Sequence, residues 1–384
     1  MLIELSGGRV LTGDGELVEA SLQIADGTIR ALGDDGLPRP DRRLDVTGCL
    51  VLPGIVDLHG DAFERQLMPR PGVHFPYDVA LVESDRQMLA NGITTAFHGL
   101  TWSWEPGLRG TEAARDFRRA LDRMRPHLAC DTRLHLRHET FNLAAEAEVV
   151  EWIREGAVDL LAFNDHVGDI VEDLERPAKL AKYVDRTGLS SDGFRALVAE
   201  VAGRADEVGC SIERIAATAR AAGVPMASHD DPDPDARAVA HALGCTISEF
   251  PKDEATARAA RDAGASVVLG APNVLRGGSH AGRLGAREAI AVGLCDALTT
   301  DYYYPSTLLA AFRLAEDGMM PFAEAWRLLS AGPAAAVGLN DRGLLEEGRR
   351  ADVVVVRRPH GTPPGVAATF AAGRLVHVRD LFPL

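Results

Sequence analysis

Val51-Leu-Pro-Gly-Ile-Val-Asp-Leu-His-Gly-Asp61 is the stretch on which the reading of the whole chain turns. Val51, Ile55, Val56 and Leu58 form a short apolar run around the Pro53-Gly54 break, the pattern of a strand buried on both faces of a parallel sheet. His59 and Asp61 stand at its C-terminal end, two residues apart. Residues i and i+2 of a strand share a face, so the imidazole and the carboxylate converge on one point. Barrel enzymes assemble their active sites at that end of their strands. An isolated His-x-Asp is usually no more than part of a polar loop, so the rest of the chain has to give it meaning.

Further apolar runs follow at Thr94–Phe97, Arg133–Leu136, Leu160–Phe163, Pro225–Ala227, Cys245–Ile247, Ser266–Leu269 and Ala297–Thr299, with helical stretches between them. Together with the strand before His59 they make eight β units. This alternation predicts an α/β fold, a (β/α)8 TIM-type barrel over residues 54–344. A doubly wound open sheet is the alternative, but no Gly-x-Gly-x-x-Gly follows any strand, so its dinucleotide-binding form has no support. Helices are predicted over 191–208 and 212–222. Residues 1–53 and 345–384 carry short strands around hairpin dipeptides such as Asp26-Gly27. Neither end is large enough for a core of its own, so the two are expected to pair into one small β-sandwich.

Composition narrows the function. A 384-residue chain with 46% hydrophobic and 25% charged residues is ordinary for a globular protein. A formal charge of −15 argues against nucleic-acid binding, which needs a basic face. The five cysteines form no Cys-x-x-Cys pair and read as reduced thiols. No signal peptide and no membrane-length apolar run is evident, so a cytoplasmic protein without a membrane partner is expected.

Metal-capable side chains recur just past the apolar runs. Arg133-Leu-His-Leu-Arg-His-Glu139 ends in Glu139, and Leu161-Ala-Phe-Asn-Asp-His166 ends in His166. Pro225-Met-Ala-Ser-His-Asp-Asp231 carries His229, and Leu298-Thr-Thr-Asp301 ends in Asp301. Each alone reads as a cap or a core residue; their joint placement at the ends of one barrel points to a metal site. Mixed imidazole and carboxylate suits Zn²⁺ first, with Mn²⁺ and Fe²⁺ also fitting. Asp301 is the candidate catalytic residue, holding a metal and taking a proton from water. Gly270-Ala-Pro-Asn-Val-Leu-Arg-Gly-Gly-Ser-His280 reads as a glycine-rich loop whose backbone cradles an anion, with Arg276, Ser279 and His280 as substrate contacts. Arg70 lies in a stiff Pro-Arg-Pro loop after the first strand. The tracts Glu172–Arg186 and Arg115–Arg125 read as solvated helix faces, and Trp102 and Trp104 as packing residues.

Pro53-Gly-Ile-Val-Asp-Leu-His59, between β-rich chain ends, resembles the amidohydrolase superfamily of metal-dependent barrel hydrolases. Within it, several motifs are similar to the diphosphatases of phosphonate catabolism. These are His59-Gly-Asp61 with Pro69-Arg-Pro-Gly72, Leu134-His-Leu-Arg-His-Glu139, Asp165-His166, Ala227-Ser-His-Asp-Asp231, Ser248-Glu-Phe-Pro251, Gly270–His280 and Asp301-Tyr302. The resemblance implies two divalent metals held by His59, Asp61, Glu139, His166, His229 and Asp301. It also implies hydrolysis of α-D-ribose 1-methylphosphonate 5-triphosphate with release of diphosphate, and a homodimer. The chain departs from the pattern at Ala62-Phe-Glu-Arg65, His98 and Thr101–Gly107. Those departures keep open a C–N hydrolase, a cyclic amidase or deaminase, on the same metals; a non-catalytic protein fits the complete ligand set poorly. A triphosphate needs several cations around it, and Arg65, Arg70, Arg137, Lys252 and Arg276 are the candidates.

Overall fold

The structure, a computed structural model, describes residues 1–33, 37–70, 72–278 and 283–379. Eight parallel strands follow one another around a barrel: Ile55–Gly60, Ile93–Trp102, Asp131–Glu139, Leu160–Asn164, Met226–His229, Ile247–Glu249, Ser266–Gly270 and Ala297–Thr299. Each corresponds to one of the apolar runs. Their inward side chains, among them Val56, Leu58, Phe97, Leu160, Ala162, Ile247 and Val268, fill the barrel as a packed core. Each such side chain removed from water contributes about 1.5–3 kcal/mol.

The last strand is only three residues long, and backbone bonds just past its end, together with side chains, close the ring. Asp301 N donates to His59 O at 2.9 Å, and Asp61 N donates to Asp301 O at 3.0 Å. The fully buried Asp57 accepts from Thr300 N at 2.9 Å and from Thr300 Oγ1 at 2.5 Å, and it also pairs with the Thr299 hydroxyl. This seam lies directly beneath His59 and Asp61.

The two chain ends do pair. One sheet holds Ile3–Ser6, Ser21–Ala25, Thr28–Gly33 and Arg42–Asp45. The other joins Arg9–Leu11, Leu17–Glu19 and Cys49–Pro53 to the C-terminal strands Val353–Arg357, Gly365–Ala371 and Arg374–Val378. Leu5, Leu22, Ile29, Val51, Val353 and Phe370 pack together between them. The second sheet passes straight into the barrel, because Cys49–Pro53 ends one residue before Ile55.

One expected helix boundary is displaced. The helices run over Ser191–Ala202 and Ala205–Ala222, with the break at Gly203-Arg204 and not near Gly209. Gly209 lies within the second of these helices, with helical hydrogen bonding continuing past it.

Candidate metal centre

The barrel places His59, Asp61, Glu139, His166, His229 and Asp301 at the C-terminal ends of five strands, as the sequence pattern predicts. Gly60 lets His59 and Asp61 flank the seam: a Cβ there would sit 2.7 Å from Asp57 Oδ2. Three sets of ligand atoms lie within 4.8 Å of one another: His59, Asp61 and Asp301; His59, His229 and Glu249; and His166, His229 and Asp230. His59 and His229 each belong to two sets, so the sets form one connected cluster. Glu139 joins through His166, whose Nδ1 donates to Glu139 Oε1 at 2.6 Å.

Two members of this cluster, Glu249 and Asp230, lie outside the predicted ligand set. Glu249 ends the sixth strand and is fully buried. One of its carboxylate oxygens lies 3.3 Å from His59 Nδ1 and 3.5 Å from His135 Nε2. Asp230 lies 3.6 Å from both His166 Nε2 and His229 Nδ1, and its other oxygen meets Arg283 at 2.7 Å. Ser248-Glu-Phe-Pro251, just after the predicted strand Cys245–Ile247, contains the first, and His229-Asp-Asp231 contains the second. Asp230, Phe250 and Asp301 all have positive φ, 59°, 55° and 54°. Non-glycine residues hold that conformation only where the surroundings impose it, and here all three sit just after barrel strands at one site.

The cluster contains polar atoms that the protein itself leaves unsatisfied. Nδ1 of His59, Nδ1 of His229, Nε2 of His135 and both oxygens of Glu249 are buried without a hydrogen-bond partner. Buried polar atoms are nearly always paired, and imidazole nitrogens with carboxylates are the donor set of a divalent transition metal. Burial, then Arg137 and His229, hold the His59 imidazolium well below its ordinary pKa, so the ring reaches the site neutral and able to ligate. His166 is the opposite case: burial lowers its pKa, but Glu139 and Asp230 outweigh that and push it up to about 9. Burial and the neighbouring Asp61 push Asp301 up to about 7.

Arg137, expected as a substrate contact, lines the larger cavity and also reaches into the cluster. It is 6% exposed, donates to His229 Nε2 at 3.2 Å and lies 3.7 Å from Asp61. Among the other expected contacts, Arg276 reaches the Tyr302 hydroxyl at 3.4 Å, and Arg70 is exposed in a turn bridged to Val73. Neither lines the cavities over the cluster. The expected anion-cradling loop is largely a helix, Ala271–Arg276, whose Ala271, Pro272 and Val274 are buried. Apolar packing claims that backbone, and Asn273 is the residue that reaches the cavity. Ser279 and His280 lie outside the described residues.

Two cavities open above the cluster. The larger, about 720 Å³, is lined by His59, Asp61, His229 and Asp301 and by the cations Arg137, Arg176, Lys179, Lys182 and Arg283. The smaller, about 240 Å³, is lined by Glu139 and His166 and shares Asp230 and Arg283 with the first. Arg65, Arg70, Lys252 and Arg276 line neither cavity. Three of the five cations, Arg176, Lys179 and Lys182, come from Glu172–Arg186; they are exposed, as expected of a solvated face, and they also line the larger cavity. Trp102 is wholly buried against Trp152, at 4.5 Å between ring centroids. His98 packs between Phe63 and Phe117, away from the cavities.

Residues 80–377 match the model of the amidohydrolase family. The α-D-ribose 1-methylphosphonate 5-triphosphate diphosphatase of Escherichia coli (strain K12) is 33% identical over 353 residues, 90% of this chain and 93% of that protein. An adenine deaminase of Brucella suis biovar 1 (strain 1330) is 26% identical over 97% of this chain, which spans 56% of that longer protein. The N-acetylglucosamine-6-phosphate deacetylase of Pasteurella multocida shares the fold, with a TM-score of 0.66 at 11% identity, covering 98% of this chain and all of that one. No helix among the described residues is long and apolar enough to cross a membrane.

Proposed function

The chain belongs to the amidohydrolase family and is a metal-dependent hydrolase; from that premise we propose that it hydrolyses α-D-ribose 1-methylphosphonate 5-triphosphate, releasing diphosphate, in phosphonate catabolism. The observation that carries this reading is the lining of the larger cavity, where five cations face three carboxylates above the ligand cluster. That excess positive charge, within a chain of net charge −15, suits a polyanion.

Two divalent cations, Zn²⁺ by the donor set, would be held by His59, Asp61, Glu139, His166, His229 and Asp301, supplying Lewis acidity and a water of lowered pKa. The protein's own residues do the rest. Asp301 takes a proton from the attacking water, whose oxygen forms a bond to phosphorus. The bond from that phosphorus to the α–β bridging oxygen breaks, and diphosphate departs with the electron pair. Arg137, beside Asp61 and His229, compensates the negative charge that develops on the phosphoryl oxygens.

The adenine deaminase relative raises the alternative of C–N cleavage on the same ligands. An uncharged purine would leave the cationic cavity wall without a counterpart, which favours the triphosphate. A paired measurement tests the reading: metal content by elemental analysis, and diphosphate release from the triphosphate. About two metals per chain with rapid release supports it. Metals without release overturns the substrate, and a protein that binds no metal overturns the hydrolytic site as drawn.

A further inference from the structure

We propose that helix Pro177–Thr187, with Arg176 at its start, is a diphosphate clamp: Arg176, Lys179 and Lys182 grip the terminal diphosphate in the larger cavity. This inference rests on the diphosphatase reading and assigns an end of the substrate to each side of the site.

The two cavities differ in charge. Five cations and three carboxylates line the larger, Arg137, Arg176, Lys179, Lys182 and Arg283 against Asp61, Asp230 and Asp301. In the smaller, Arg109, Arg186, Arg283 and the His166 imidazole meet Glu105, Glu139, Asp169, Asp173 and Asp230, so carboxylates outnumber basic groups there, five to four. A diphosphate group is repelled from the second and drawn to the first. One helix borders both: it gives Lys179 and Lys182 to the larger cavity, and Tyr183 and Arg186 to the smaller.

The spacing explains how a helix does this. Residues three apart lie on one side of a helix, so the step 176, 179, 182 sends three cations the same way. Asp173, only 11% exposed at its side chain, anchors the group. It meets Arg176 at 3.2 Å and Lys179 at 3.3 Å, and it accepts from Tyr183 Oη at 3.0 Å. One carboxylate shared by two cations leaves the group positive. Lys182 makes no hydrogen bond or ion pair among the described residues, and it is the cation free to take a ligand.

The test is calorimetric binding of inorganic diphosphate to the metal-loaded, full-length protein, which does not depend on turnover. Lys182→Ala should weaken binding about tenfold, the usual worth of a hydrogen bond to a charged group. The double variant Lys179→Ala/Lys182→Ala should weaken it further, and Lys182→Arg should restore most of it. Arg258→Ala, which removes a surface cation paired with Glu254 far from these walls, should change nothing. In turnover assays the loss should appear in KM for the triphosphate more than in kcat. Wild-type diphosphate affinity in the double variant at full metal content overturns the clamp, even if the enzyme cleaves the triphosphate. Loss of diphosphate binding in the variants of a protein that does not cleave the triphosphate upholds the clamp and overturns the proposed substrate.

Discussion

Nδ1 of His59 lies 3.3 Å from a carboxylate oxygen of Glu249, and both side chains are sealed from solvent, at 1% and 0% exposure. Neither this nitrogen nor either oxygen of Glu249 has a hydrogen-bond partner. Such an arrangement is stable only if a cation or proton is shared there. Glu249→Ala should therefore lower metal content to about one ion per chain or less, with folding retained, and Glu249→Asp should recover part of it. Elemental analysis alongside circular dichroism decides the matter; full metal content in Glu249→Ala would remove Glu249 from the site.

Asp301→Asn should lower kcat by about a thousandfold, the scale of a lost general base. The amide keeps the shape of the side chain and one coordinating oxygen, so most metal should remain. Equal losses of metal and of rate would mean that Asp301 serves only as a ligand.

Stability should fall on acidification, in part through His98. Burial, then Arg125, lowers its pKa from 6.5 to about 4, because the ring is enclosed by Phe63 and Phe117. Below 6.5 the unfolded chain takes up a proton that the folded chain refuses until about 4. The stability of the fold therefore drops over that window as pH falls, by about 1.4 kcal/mol per pH unit for one such group. His98→Leu should flatten urea-unfolding stability between pH 6.5 and 4 by that slope relative to wild type. An unchanged slope would contradict the neutral, buried ring.

Gly60→Ala should cost about 1–3 kcal/mol, the usual scale of overpacking in a tight interior. The new methyl would stand 2.7 Å from Asp57 Oδ2, in the carboxylate that bonds Thr300 across the seam. Thermal unfolding reads the loss directly, and metal content should fall with it because His59 and Asp61 flank the glycine. A variant as stable as wild type would show that the seam yields.

The sequence by itself determined the barrel, its eight strands and six of the side chains at its mouth. Those features are local: an apolar run declares a buried strand, and the residue after it declares which end it occupies. What only the tertiary structure decided is which side chains face one another across the barrel. Glu249 ends a three-residue strand and meets His59, nearly two hundred positions away in the chain, through the curvature of the sheet. Arg137 is one of several basic residues along the chain, and only the fold sets it between Asp61 and His229 on the wall of the larger cavity. The cations of helix Pro177–Thr187 read as a solvated face because Lys179, Lys182, Asp185 and Arg186 spread along a short helix are what a surface helix shows. Only the path of the chain across the barrel mouth turns that face toward the metal ligands. Period and residue type are encoded along the chain, but the direction a charged face points is set by long-range packing, and the charge around this site came from there.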